Sequence, residues 1–184
     1  VSMALATVLA PSVARADDPV PAGAPAPTAH PFGIEGHVGV ATPVITVTTG
    51  NNGQTTTPGD QFTLLHPIGI GFKVSEHAAI DFEVVFGNPI KPRGTTNLLI
   101  DPGIVYDTGT VVVGARLALP VGATTSYGVI PLIHKGIVDI GGGANWFVEL
   151  AFPTFLHFNP ANADGTSGET TLEFNAVFHT GVGF

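Results

Sequence analysis

Along most of this chain, apolar and polar residues alternate at every second position, the period of a strand with two unlike faces. The last segment is the clearest case. Leu172, Phe174, Ala176, Phe178, Val182 and Phe184 share one face, interrupted only by Thr180. Glu173, Asn175, His179, Gly181 and Gly183 share the other, with Val177 among them. Near the start, Phe32, Ile34, Val38 and Val40 stand against Glu35, His37 and Gly39. Ile80, Phe82, Val84 and Phe86 oppose Asp81 and Glu83. Val111, Val113, Ala115, Leu117 and Leu119 oppose Gly114 and Arg116, and Trp146, Val148, Leu150 and Phe152 oppose Glu149. The pattern predicts eight strands, at about 32–48, 61–74, 77–87, 96–107, 109–120, 126–140, 144–157 and 170–184. The second and sixth are apolar on both faces, which leaves their register open.

The connections alternate as well. TGNNGQTTTPGD, NPIKPRGT, VGATT and FNPANADGTSGE are polar loops, whereas the turns near Ser75-Glu76, at Asp107-Thr108-Gly109 and in IGGGAN are tight. A membrane barrel has this rhythm, with long loops on one side and short turns on the other. An even number of strands returns both termini to the short-turn side. Strands of about 9–11 residues suffice to cross the bilayer core, and these are long enough.

Composition sharpens the choice. The 24 Gly and 16 Pro argue against a helical bundle, since these are the two poorest helix formers. Only 11% of residues are charged, against roughly a quarter in ordinary soluble domains, and the mean hydropathy is +0.38. A soluble β-sandwich also alternates, but its outward faces are well charged. An apolar, Gly-rich, helix-poor chain fits a wall that faces lipid. The net charge of −8, with no Lys/Arg cluster, excludes nucleic acid as a partner. The absence of cysteine removes disulfide scaffolds, thiol catalysis and Cys-ligated zinc. No cofactor is expected.

Residues 1–16, VSMALATVLAPSVARA, end in Ala14-Arg15-Ala16 and read as a secretory signal peptide without its basic n-region, hence truncated at its start. Residues 17–31 form a Pro/Ala-rich tract, expected to be a disordered periplasmic leader. The barrel domain is then 32–184. No segment suits a transmembrane helix. The longest stretch without charge or His, Leu117 to Ile133, contains Pro120, Gly122, Gly128 and Pro131.

The signal-like start, the loop rhythm and the final strand TLEFNAVFHTGVGF resemble the small eight-stranded outer-membrane β-barrels of Gram-negative bacteria, the OmpA/OmpX-type architecture. The resemblance implies an all-β fold: a closed antiparallel up-and-down transmembrane β-barrel with both termini periplasmic. It also implies residence in the bacterial outer membrane and contact with outer-membrane lipid. The barrel assembly machinery would be a partner, with Phe174, Phe178, Val182 and Phe184 as the assembly signal.

Counting from the terminal end, His37 and His179 each lie five residues in, on strands that closure makes neighbours. The same count puts Glu35, Asp81, Glu83, Asp101, Arg116 and Glu149 in the lower half of the interior, with Lys73 joining from below in one register. The expected result is a polar plug centred on Arg116, because buried charges must be paired and an Arg binds carboxylates bidentately. Eight strands leave an interior just filled by side chains, so a general diffusion pore is not expected. In another reading the excess acid shares protons or holds a cation with His37 and His179, although no fixed ligand spacing supports a metal site. Inward Leu65, Ile130 and Leu132 would permit a small apolar pocket, as in a carrier or narrow channel for small molecules. Outer-membrane lipid A acyltransferases and deacylases place Ser, His and acid groups near the outer rim of such barrels. The rim candidates here are Ser126, His157, Ser167, Asp164 and Glu169. No spacing links them, so catalysis is not expected. The expected role is structural or surface-interactive, with a host surface or a small apolar ligand as candidate partners.

Overall fold

A computed structural model describes residues 33–50, 53–122, 125–158 and 168–184. The signal-like segment, the Pro/Ala leader, Phe32 and most of the last long loop lie outside these. The alternating segments become β1 (Ile34–Thr48), β2 (Gln54–Thr56), β3 (Phe62–Lys73), β4 (Ala78–Lys91), β5 (Asn97–Asp107), β6 (Val112–Pro120), β7 (Ser126–Gly141), β8 (Ala144–Ala151), β9 (Thr154–Phe158) and β10 (Thr170–Gly183). All pairings are antiparallel. Each barrel strand pairs with the next in sequence, and β1 closes on β10 from His37↔Gly183 to Thr48↔Glu173. Because β8 and β9 lie end to end between β7 and β10, the wall is a closed eight-stranded barrel. The described residues contain no helix.

Local chemistry explains where the elements depart from simple alternation. The wall breaks between β8 and β9 at Phe152-Pro153, where proline has no N–H for the ladder. The chain stays tied in, because the Phe152 amide donates to the Pro131 carbonyl (2.8 Å) and the Asn175 amide to that of Pro153 (2.8 Å). β6 begins at Val112, not 109, because Thr108–Val111 is a turn. The Thr108 amide and hydroxyl both donate to the Val111 carbonyl. β4 runs on to Lys91, not 87, by pairing with β3 as far as Phe62. β2 is a short strand within the first loop that pairs back on Thr46–Thr48. The tight turn after β7 is made by Gly141, Gly142 and Gly143, all at positive φ, where side chains are disfavoured. Thr180, the polar interruption on the outer face of β10, is satisfied: it accepts from Trp146 Nε1 (2.7 Å) and donates to the Phe147 carbonyl (2.8 Å).

The two faces are chemically opposite. Outward positions carry exposed Val38, Ile68, Phe82, Ile104, Leu117, Ile133, Leu150 and Phe178, among others. The buried polar and charged side chains Asp81, Glu83, Asp101, Arg116, Glu149, Asn175 and His179 all point inward. The registers left open resolve cleanly. β3 turns Leu65, Pro67, Gly69 and Gly71 inward, and β7 turns Ile130, Leu132 and His134 inward.

Candidate functional site in the barrel lumen

Large inward side chains need room in a barrel this narrow, and glycines on neighbouring strands supply it. His37 lies across Gly69, where an added Cβ would fall 2.0 Å from its Cε1. His179 lies across Gly39, with Nε2 2.4 Å from the same kind of Cβ. Arg116 lies across Gly103, its Cγ 2.6 Å from that position. The inward glycines therefore set where the polar side chains extend.

What they extend into is a single network. Arg116 Nε donates to Asp81 Oδ2 (2.5 Å), and Nη1 donates to Glu149 Oε1 (3.2 Å) and reaches Glu83 Oε1 (3.5 Å). Nη2 reaches Glu149 Oε2 (3.5 Å), so the guanidinium grips Glu149 with both terminal nitrogens. His37 Nε2 bonds Glu83 Oε2 (2.7 Å), and His179 Nδ1 bonds Glu149 Oε1 (3.2 Å). His134 Nδ1 stands 3.5 Å from Glu149 Oε2. The fully buried ring of Phe147 fills the space between the imidazoles, its centroid 5.8, 4.5 and 5.0 Å from those of His37, His134 and His179.

The structure thus brings together His37, Asp81, Glu83, Arg116, Glu149 and His179. Asp101 is also buried, directly across from Glu83 in the β4–β5 ladder. Its Oδ1, like Nε2 of His179, has no hydrogen-bond partner among the described residues. Glu35 does not join the network. It stands half-exposed at the mouth, paired with Lys73 (2.5 Å). Inward parity put it in the lumen, but at its height the barrel is open to solvent. His134 and Phe147 were missed. Phe147 shares the parity of Glu149, while His134 was hidden in the strand whose register alternation could not fix.

The lumen is layered. Below the network a cavity of about 350 Å³ opens between the strands at the terminal end, lined by Glu35, His37, Lys73, His77, Asp107 and His134 among others. A smaller space of about 110 Å³ shares His37 and His134 with it and reaches Arg116 and Glu149. Toward the loop end, the next inward residue on each strand is apolar: Val85 after Glu83, Leu99 after Asp101, Ala118 after Arg116, Ala151 after Glu149 and Val177 after His179. Ala41, Ile130 and Leu132 complete this layer. Four carboxylates, one guanidinium and three imidazoles are therefore enclosed on the loop side by a low-dielectric cap. Such a setting strengthens satisfied polar contacts and penalises broken ones. No group of three or more metal-binding side chains converges among the described residues.

Above the apolar layer is a second polar chain. Ser126 Oγ and His157 Nδ1 are 2.8 Å apart, on cross-strand partners of β7 and β9. His157 Nε2 faces Glu173 Oε2 at 3.4 Å. Glu173 Oε1 accepts from Asn175 Nδ2 (2.8 Å), and Asn175 Oδ1 accepts from Thr46 Oγ1 (2.5 Å). Of the other rim candidates, Asp164 and Ser167 lie outside the described residues, and Glu169 lies beside Gly50. Among known proteins, the chain matches no family model and no curated sequence. What the lumen does must be read from its own geometry.

Proposed function

We propose that this chain is an outer-membrane β-barrel of a Gram-negative bacterium with a structural or surface-interaction role, its lumen closed by the Arg116 network and the apolar layer above it. The observation that carries this reading is the outer wall. Large apolar side chains stand exposed on every barrel strand, while Asp81, Glu83, Asp101, Arg116 and Glu149 are enclosed in the lumen. In water this inversion would be unstable and aggregation-prone, since soluble monomers rarely expose contiguous apolar patches beyond a few hundred Å². In lipid it is the expected arrangement of a barrel. Closure of β1 on β10 also leaves the barrel wall no free edge among the described residues, which the bilayer core requires. On this reading the short turns and both termini face the periplasm.

The test is the cellular fraction and the gel mobility of the full chain. Recovery in the outer-membrane fraction, with a change in apparent size between unheated and boiled samples, supports it. Recovery as a soluble periplasmic protein overturns it. Single-channel recording then addresses closure, for which the expected result is no steady conductance. The cavity at the terminal end favours a second reading, a carrier for small molecules, for which co-purification of a bound ligand is the signature.

A further inference from the structure

The cluster above the apolar layer has an arrangement that neither lumen closure nor membrane residence requires. A serine hydroxyl, an imidazole and a carboxylate follow one another across β7, β9 and β10, with Ser126 Oγ 2.8 Å from His157 Nδ1 and Glu173 Oε2 3.4 Å from His157 Nε2. When Ser126 donates to Nδ1, the ring's proton sits on Nε2, facing Glu173. Glu173 is itself fixed by Asn175, and Asn175 by Thr46. A nucleophile within hydrogen-bond reach of a base, with the base oriented by a third group, is the geometric signature of an activated serine. At 3.4 Å the pair is too poorly aligned for a hydrogen bond, and His157 Nε2 has no hydrogen-bond partner among the described residues, as is common in catalytic sites without substrate. The side chains of His157 and Glu173 are each 30% exposed, so the cluster is open, in contrast to the enclosed network beneath it. Phe155, inward on β9 like His157 and packed against the apolar layer, stacks on the His157 ring with centroids 6.0 Å apart and lays an apolar surface beside the polar cluster.

We propose that Ser126, His157 and Glu173 form an esterase site whose substrates are carboxylic esters with an apolar acyl chain. Ser126 Oγ attacks the ester carbonyl and its proton passes to His157 Nδ1. The bond from carbonyl carbon to alcohol oxygen breaks, and the imidazolium returns that proton to the departing alcohol. Water then attacks the acyl-serine, giving its proton to Nδ1. The acid leaves as Ser126 Oγ regains the proton. No oxidant or co-reactant besides water is needed. Ser126 and His157 are the catalytic residues, and Glu173 is a positioning residue that holds the ring and offsets its transient charge. The assignment needs only the closed barrel, so it stands or falls separately from membrane residence.

The test uses the full chain folded in detergent, treated with a fluorophosphonate probe that phosphonylates an activated serine with loss of fluoride. It also uses p-nitrophenyl esters of acetate and decanoate. The expected results are phosphonylation at Ser126 located by mass spectrometry, and faster turnover of decanoate. Ser126→Ala should abolish both. His157→Ala should slow them about 100-fold or more, the usual contribution of a general base. Glu173→Gln should lower kcat at least tenfold with KM unchanged. All variants are compared at equal amounts of folded barrel. A folded wild-type chain that takes no label and turns over ester no faster than Ser126→Ala overturns the proposal, as does labelling at another serine. Unchanged kcat in folded Glu173→Gln removes Glu173 from the site.

Discussion

Arg116→Met is the most informative perturbation of the lumen, because it keeps an unbranched side chain of similar length while deleting the only guanidinium in the network. In the wild type, Arg116 donates to Asp81 at 2.5 Å and to Glu149 at 3.2 Å, with Glu83 at 3.5 Å. Each hydrogen bond to a charged group contributes about 1.5–3 kcal/mol. Removing one partner of a buried ion pair costs about 3–5 kcal/mol, because the remaining charge stays desolvated and uncompensated. Here the carboxylates left behind cannot turn to water on the loop side, where the apolar layer encloses them. The expected destabilisation is therefore about 3–5 kcal/mol. With a urea slope of about 2 kcal/mol/M, the unfolding midpoint should fall by roughly 1.5–2.5 M. The single tryptophan, Trp146, reports unfolding through its fluorescence. A midpoint within about 0.5 M of wild type, at unchanged slope, would refute the claim that Arg116 is the hub. A double-mutant cycle sharpens the test. Glu149→Gln should destabilise the wild type, yet recover part of the loss in the Arg116→Met background.

Four further outcomes follow from the geometry. Leu117→Arg puts a charge on an outward position that is 53% exposed. In lipid it should cost up to about 2–4 kcal/mol, the bilayer-midplane value, whereas a wall facing water would change by about 0.5 kcal/mol or less; unfolding in bilayers separates the two. Gly69→Ala places a Cβ against the His37 imidazole and should cost about 1–3 kcal/mol by overpacking. A second change, His37→Ala, should relieve that strain. Gly103→Ala meets backbone instead, the Ala115 carbonyl at 2.4 Å and Arg116 Cα at 2.7 Å, so no side-chain truncation should rescue its thermal stability. Phe147→Ala empties the site between three imidazoles and should cost about 3–5 kcal/mol in denaturant titrations.

Much of the wall was legible because period-two alternation is a strong signal wherever one face is polar. β4 and β10 could be read residue by residue, with Asp81 and Glu83 opposite Phe82, and His179 opposite Phe178. β3 and β7 could not. The inward face of β3 is largely Pro67, Gly69 and Gly71, residues without a polar side chain to mark a side, and Ile130 and Leu132 on β7 are as apolar as their outward neighbours. His134 was lost with that register. Parity also gives direction without depth, and this separated Glu35 from the network: it points inward at a height where solvent and Lys73 satisfy it. Ser126 and His157 could be named as rim residues, but their grouping with Glu173 was out of reach for a related reason. Its members sit on three strands, and only the pairing of β7 with β9 and of β9 with β10 brings them to one height.

The order of layers along the axis carries a consequence for how the two polar systems interact. The Arg116 network and the Ser126–His157–Glu173 cluster lie on opposite sides of the layer formed by Ala41, Ala118, Ile130, Leu132, Ala151 and Val177. They share no hydrogen-bond partner among the described residues. Apolar side chains fixed in rotamers do not relay a charge change as a hydrogen-bonded chain does, so the two clusters should be energetically separate. Independent sites give additive effects to within about 0.3–0.5 kcal/mol. The stability losses of Arg116→Met and Ser126→Ala should therefore sum in the double variant, and Arg116→Met should leave phosphonylation of Ser126 unchanged in whatever fraction remains folded. A coupling of 1 kcal/mol or more would mean that the apolar layer transmits strain between the two, with Ile130 the first place to look. That side chain lies opposite Arg116 in the β6–β7 ladder and four residues from Ser126 on the same strand.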